Sequence, residues 1–155
     1  MTLTAYLNYT NQWLGVYGLE IIISKILFNY NLIATMKNIE KAYEFFNEGK
    51  ELCKENNFLK AVMLFEKAKK LEPEKGSIRE ALSTAYYNCG FYKSAMKNFK
   101  KALEIDSTND FAHYGIGLCL VKDGKTIMAL GHFKLASAMK PDQKNYIDTI
   151  KRYQK

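Results

Sequence analysis

Proline, histidine and tryptophan are scarce in this 155-residue chain, which holds two prolines, two histidines and one tryptophan. Its three cysteines are odd in number and form no C-x-x-C pair, so neither a disulfide framework nor a zinc motif is predicted. Nucleophile elbows, phosphate-binding loops and H-E-x-x-H segments are also missing from the sequence. The chain therefore lacks the common signatures of an enzyme, and no cofactor is expected. Reduced, partly buried thiols favour a cytoplasmic protein.

The two histidines, His113 and His132, have no metal-binding companion at ligand spacing in the sequence. Each is expected to be a packing or surface residue, and no metal site is predicted.

Charge is scarce in the first 36 residues, where only Glu20 and Lys25 are charged and the stretch from Ile21 to Ile33 is strongly apolar. Residues 1–36 are therefore set apart as an apolar N-terminal extension with three interpretations. In the first interpretation it is a membrane span of about 20 residues. In the second it is an extra amphipathic helix folded onto the open first face of the domain. In the third the natural start is Met36, and the preceding residues come from an overextended reading frame. The span is the least favoured, because each central charge costs about 2.5–3.5 kcal/mol on insertion scales.

The rest of the chain is repetitive. A pattern of alanine, phenylalanine and alanine recurs every 34 residues, since its first alanine stands at 61, 95 and 129. The recurring columns are Ala61, Phe65 and Ala68; Ala95, Phe99 and Ala102; and Ala129, Phe133 and Ala136. Further columns hold Gly49, Ser83 and Gly117; the turn residues Asn56, Gly90 and Gly124; and the closing residues Pro73, Ser107 and Pro141. So many aligned columns indicate a repeat array.

The period and the residue types resemble the tetratricopeptide repeat, in which two helices per unit stack into a right-handed solenoid. The resemblance implies an all-α, right-handed α-solenoid of three helix-turn-helix repeats over 42–75, 76–109 and 110–143. A capping helix over 144–155 completes a domain at 37–155. The family's large first-helix aromatic is Phe45 in the first unit, whereas Arg79 and His113 occupy that position in the next two.

Residue chemistry agrees with these helix pairs. The alanines and the phenylalanine share one helix stripe, where small residues let a neighbouring backbone approach. Asn56, Gly90 and Gly124 suit a left-handed turn after each first helix. The polar run from Asp106 to Asp110 predicts an N-cap without proline. Ile147 and Ile150 stand 34 residues after His113 and Ile116 (113 + 34 = 147) and predict the apolar face of the cap.

The family's first helices line a concave groove that holds a partner segment, so the resemblance implies a protein-interaction module, a scaffold or adaptor that is not an enzyme. The groove residues expected from this register are Tyr43, Phe46, Asn47 and Lys50; Thr84, Tyr87 and Asn88; and Phe111, Tyr114, Leu118 and Lys122. Several aromatic side chains together favour an apolar or mixed peptide partner. The same rings are equally consistent with packing between helices.

One subclass of the family grips the acidic C-terminal tails of heat-shock chaperones with lysine, asparagine, asparagine, lysine and arginine. The matching positions here are Phe46, Lys50, Ala81, Phe111 and Gly115. Because that clamp is missing, the sequence predicts a protein or peptide partner other than a chaperone tail.

Two other functions remain open. The net charge of +7 and the lysine clusters permit a basic nucleic-acid-associated protein. A solvated helix face is favoured instead, because glutamates are interleaved with the lysines and no groove-entering element accompanies them. A membrane-tethered assembly factor, associated with a membrane through residues 1–36, is the other alternative to a cytoplasmic adaptor.

Overall fold

The computed structural model describes residues 3–154, which form seven helices and no strand. The helices are α1 (Leu3–Lys54), α2 (Phe58–Leu71), α3 (Gly76–Asn88), α4 (Tyr92–Ile105), α5 (Asp110–Lys122), α6 (Thr126–Met139) and α7 (Lys144–Tyr153). Two compact units make up the chain, Met1–Ile39 and Glu40–Lys155. The described residues are all-α, as the repeat pattern predicts.

The first unit is the amino-terminal part of α1, and its described apolar side chains are exposed. Ile21, Ile26 and Phe28 keep 54, 61 and 68% of their surface accessible. The three interpretations of this segment stay predictions. The boundary at residue 36 stays a prediction.

The second unit alternates what we call first helices, the end of α1, α3 and α5, with second helices, α2, α4 and α6. Each of α3 and α5 packs against the second helix before it and the second helix after it, and α7 packs against α6. The first helices α3 and α5 also contact each other directly. First helices therefore lie on the inner side of this helical solenoid.

Each first helix ends in the same left-handed turn. Asn56, Gly90 and Gly124 have φ angles of 59°, 81° and 73°, a region that glycine enters without strain and asparagine tolerates. The amide of the following residue then donates to a carbonyl five positions back, as from Asn57 to Leu52 at 2.8 Å. This bond satisfies a carbonyl that the helix end leaves free. The turn prediction is confirmed in all three repeats.

The phenylalanine of each second helix lies against a first helix that carries a glycine at the point of contact. A Cβ atom built on Gly49 would collide with the Phe65 ring, and one built on Gly117 would collide with the Phe133 ring. Phe99 lies in the same way against Gly115 of the next repeat. All three rings are at most 2% exposed. The backbone of a first helix therefore comes close to each of these buried rings, and a glycine leaves the space for it.

The boundary between the second and third repeats has no proline, and side-chain hydrogen bonds form its turn instead. Asn109 is the N-cap of α5, and its side-chain oxygen accepts the Ala112 amide hydrogen at 2.8 Å. The Asn109 amide nitrogen donates to the Glu80 carboxylate of the preceding first helix. Asp106 accepts from the Thr108 amide at 2.9 Å. The predicted N-cap is confirmed, and it also links two repeats.

The cap helix α7 is held by a tyrosine that the sequence pattern did not single out. Tyr146 is 2% exposed, and its hydroxyl donates to Asp110 at 2.7 Å. Ile150 packs against the core, but Ile147 is 36% exposed, so its expected burial is wrong. Among the described residues α7 is the last helix, and the side that bears Ile147 is uncovered.

Asp110 anchors this contact as a charged group. Burial by itself would raise the pKa of Asp110, but hydrogen bonds from Lys140 and Tyr146 outweigh it and lower that pKa below its usual value. A carboxyl group with a lowered folded-state pKa stabilises the fold above its unfolded-state pKa, and that stability is lost as the pH falls through the folded-state value.

Tyr146→Phe is expected to lower the free energy of unfolding by about 1.5–3 kcal/mol at neutral pH, because it removes a hydrogen bond to a charged group. The loss should shrink in acid, where Asp110 becomes protonated. Urea unfolding followed by circular dichroism at both pH values measures it. Tyr153→Phe, on the same helix, is the control and should change little. An equal loss from Tyr146→Phe at both pH values would contradict this role of Asp110.

Candidate functional site

The inner face is the side of the first helices that bears the predicted groove residues. Tyr43 and Phe111 are its most exposed aromatic side chains, with 66 and 39% of their surface accessible. Lys50, Asn88 and Lys122 are also exposed, whereas Asn47, Thr84 and Leu118 are half-buried. The face is therefore aromatic in the first and third repeats, with polar residues on the middle helix.

In the first repeat, Phe46 is only partly available to a partner. Its ring is half-buried and lies 5.9 Å from the Phe65 ring, centroid to centroid. The Lys50 ammonium lies over the Phe46 ring, 5.4 Å from its centroid, a distance at which a cation is attracted to an aromatic face. Tyr43 stands one turn earlier and is the freer ring.

In the middle repeat, α3 satisfies its polar side chains locally. The Thr84 hydroxyl donates to the Glu80 carbonyl at 2.9 Å, and the Asn88 amide donates to the Thr84 carbonyl at 2.8 Å. Tyr87 is half-buried, with its ring 5.2 Å from the Tyr92 ring. Burial, and then Tyr92, raises the pKa of Tyr87. Tyr87 therefore packs between helices more than it projects.

In the third repeat, Tyr114 and Phe111 have different surroundings. The Tyr114 hydroxyl shares a 3.0 Å hydrogen bond with Thr149 of the cap helix. Its ring lies 4.7 Å from the Tyr146 ring and 5.5 Å from the Phe133 ring. Tyr114 thus belongs to the seam between α5 and α7, whereas Phe111 remains exposed next to Phe99, at a centroid separation of 6.0 Å.

A pocket of about 440 Å³ lies where the turn before α4 meets the end of α5. Its lining consists of Gly90, Phe91, Tyr92, Lys93, Ser94, Met96, Cys119, Lys122 and Asp123. Phe91 is 51% exposed. Of the predicted groove residues, only Lys122 lines this pocket. The sequence pattern did not predict the pocket, because its lining comes from a turn and from a neighbouring repeat.

The three cysteines do not form a reactive site. Burial raises the pKa of the Cys119 thiol to about 11, and it raises the pKa of the Cys53 and Cys89 thiols as well. A thiol with a raised pKa stays protonated at neutral pH and is a poor nucleophile. These are packing residues.

The structure brings the two histidines together. The Nδ1 atoms of His113 on α5 and His132 on α6 lie 3.1 Å apart. Burial, and then the neighbouring His113 and Lys100, lowers the pKa of His132. Sequence spacing could not reveal this pair, because the residues lie on different helices. Within the described residues, no group of three or more His, Cys, Asp or Glu side chains is placed to hold a metal ion.

Two kinds of comparison identify the fold. Residues 83–124 match the family model described as the TPR repeat. The Arabidopsis OM64 TPR domain superposes with a TM-score of 0.73 at 22% identity, covering 76% of this chain and 97% of that domain. No curated relative matches the chain.

Two further solved structures are complexes. The first TPR domain of Spaghetti (RPAP3), bound to the HSP90 peptide SRMEEVD, has a TM-score of 0.71 at 14% identity, with coverage of 75 and 92%. The Yersinia enterocolitica type III secretion chaperone SycD, in complex with a peptide of the translocator YopD, has a TM-score of 0.65 at 13% identity, with coverage of 74 and 88%. The identities are low, so the likeness establishes the fold alone.

Proposed function

Because the chain carries tetratricopeptide repeats, we propose that it is a protein-interaction module that holds a partner's peptide or helix on its inner face. The observation that carries the proposal is the exposure of Tyr43 and Phe111, two large aromatic rings on first helices of different repeats. Rings of this kind are typical anchors of an interface, because they bury much area with little loss of side-chain freedom. The solved complexes with HSP90 and YopD peptides support a peptide ligand by analogy.

The face favours a mixed ligand with an apolar anchor at each end. Tyr43 and Phe111 supply aromatic surface, and the exposed Lys50 and Lys122 supply hydrogen-bond donors on the same first helices. The middle helix offers Asn88 as a neutral polar group. A partner segment with two apolar side chains and few positive charges fits this arrangement best.

Peptides selected on the full-length chain from a random display library test this function. Tyr43→Ala and Phe111→Ala should each weaken the selected peptides by about tenfold or more, because each variant removes an aromatic anchor. Ile127→Ala is the matched control, since Ile127 is 88% exposed on a second helix. Binding is measured by fluorescence polarisation, with helicity and melting checked for every variant.

Tyr43→Ala is the cleaner variant, because the Tyr43 ring is mostly exposed and its loss should leave the fold unchanged. If both folded variants retain full affinity, or if Ile127→Ala loses as much, the inner face is not the binding surface.

Chaperone tails are not the partner in this proposal. Of the five positions that match the clamp, only Lys50 carries a cation. Gly115 lies beneath the Phe99 ring, so no side chain can project from it without displacing that ring. At the positions of the clamp, a carboxylate-rich tail would therefore meet one cationic donor where the clamp provides several.

Isothermal titration of the full-length chain with the peptide SRMEEVD should give no measurable binding. The first TPR domain of Spaghetti, which is solved with this peptide, serves as the positive control under the same conditions. Micromolar binding to the present chain would refute the exclusion.

The same proposal makes the chain a non-enzymatic, cytoplasmic adaptor. Its surface supports this over nucleic-acid binding, because two lysines on the second helices are paired with neighbouring glutamates. Lys69 forms an ion pair with Glu66, and Lys101 forms one with Glu104 at 2.9 Å. Pairing of this kind is typical of a solvated face and leaves fewer lysines for phosphate.

A membrane-tethered module is the second candidate, and the exposure of α1 favours it. One helix among the described residues is long and apolar enough to cross a membrane, by length and composition only. Its described apolar side chains point to solvent on every side, which is unfavourable in water unless a bilayer or another protein covers them.

Flotation of the full-length chain with phosphatidylcholine vesicles tests the membrane candidate. Wild-type protein should float with the vesicles, and the double variant Ile22→Lys/Ile26→Lys should stay at the bottom of the gradient, because each charge at the centre of a span costs about 2.5–3.5 kcal/mol. Wild-type protein that remains at the bottom would exclude the tether and leave the cytoplasmic adaptor.

A further inference from the structure

The contact between His113 and His132 joins the two helices of the third repeat. The Nδ1 atoms face each other at 3.1 Å, and the ring centroids are 5.4 Å apart with an angle of 34° between the ring planes. Both side chains are half-buried, so solvent can reach them. Without a metal, one ring donates an N–H to the other ring's lone pair, because each neutral imidazole carries a single proton.

The preceding repeat uses the same two positions for a different pair. Arg79 and Asn98 stand 34 residues before His113 and His132 (113 − 34 = 79 and 132 − 34 = 98). The Arg79 guanidinium donates to the Asn98 side-chain oxygen at 3.2 Å. A contact between first and second helix is therefore built into the fold at this point. The third repeat fills it with two metal-ligating side chains.

We propose that His113 and His132 bind a divalent transition-metal ion of the zinc class through their Nδ1 atoms. Zn–N bonds are about 2.0–2.1 Å long. Two nitrogens 3.1 Å apart then subtend about 100° at the metal, between the octahedral and tetrahedral angles. Water completes the coordination, so the site is a two-residue clip across α5 and α6.

Turning each ring by about 40° converts the hydrogen-bonded pair into this clip. The rings now meet edge to edge, and binding requires their lone pairs to converge on one point, which draws the centroids together by about half an ångström at the bond lengths given above. The proton of the donating ring moves from Nδ1 to its own Nε2, so each imidazole stays neutral and no net proton is released. Both Nδ1 lone pairs then face the metal.

The surroundings permit a cation here. Lys100 of α4 is the charged group that acts on His132, and its exposed, flexible side chain can move its ammonium away. With two protein ligands the site is open and exchangeable. Such a clip would stabilise the third repeat by holding its two helices together, since a metal bound only by the folded state shifts the unfolding equilibrium.

The proposal is tested by titrating the full-length chain with ZnCl2 in the presence of a thiol reductant. The matched control is the double variant His113→Arg/His132→Asn, which places the pair of the second repeat at these positions and keeps a hydrogen bond between the helices. Calorimetry should show one Zn²⁺ per wild-type chain, and the double variant should bind more weakly by roughly tenfold or more.

Imidazole ¹⁵N spectra provide a site-specific readout, because the chain holds only two histidines. Zn²⁺ should shift the Nδ1 resonances of both rings together, and it should raise the melting temperature of the wild type but not of the double variant. No Zn²⁺ binding, or equal binding by wild type and double variant as expected for a site on the cysteines, would overturn the proposal.

Discussion

The fold depends on a phenylalanine ring that fits against a first helix with no side chain beneath it. Phe65, Phe99 and Phe133 are almost fully buried, and each ring occupies the space that a Cβ atom would take on a facing glycine. Glycine in a helix interior costs about 1 kcal/mol relative to alanine. The array accepts this cost because a buried ring stabilises it by more, as truncations of such rings cost about 3–5 kcal/mol.

This packing also determines which residues face a partner. One side of the end of α1 and one side of α5 lie against phenylalanine rings, so the other side of each is left on the inner face. Phe111 and Tyr43 remain exposed there, whereas Tyr114 is taken up by the cap through Thr149 and Tyr146. Tyr43 lies outside these contacts, and Phe111 stays exposed although its ring lies 6.0 Å from the Phe99 ring.

The sequence predicts those parts of the structure in which the same residue type serves the same purpose in each repeat. Alanine and phenylalanine columns predict the second helices, and Gly90 and Gly124 predict the turns, since few other residues adopt a positive φ. Contacts made once are harder to predict. His113 and His132 replace an arginine and an asparagine, and Tyr146 lies one position before the expected Ile147. The residue types of these contacts do not repeat, so the period carries no signal for them.

Comparing two alanine substitutions, Gly117→Ala and Gly131→Ala, tests the central claim most directly. Both glycines are helical, but Gly117 faces the Phe133 ring whereas a Cβ atom on Gly131 would meet open space. Gly131→Ala should raise the free energy of unfolding by up to about 1 kcal/mol through helix propensity. Gly117→Ala should lower it by about 1–3 kcal/mol through overpacking. Urea unfolding that shows the same stabilisation for both variants would contradict the account.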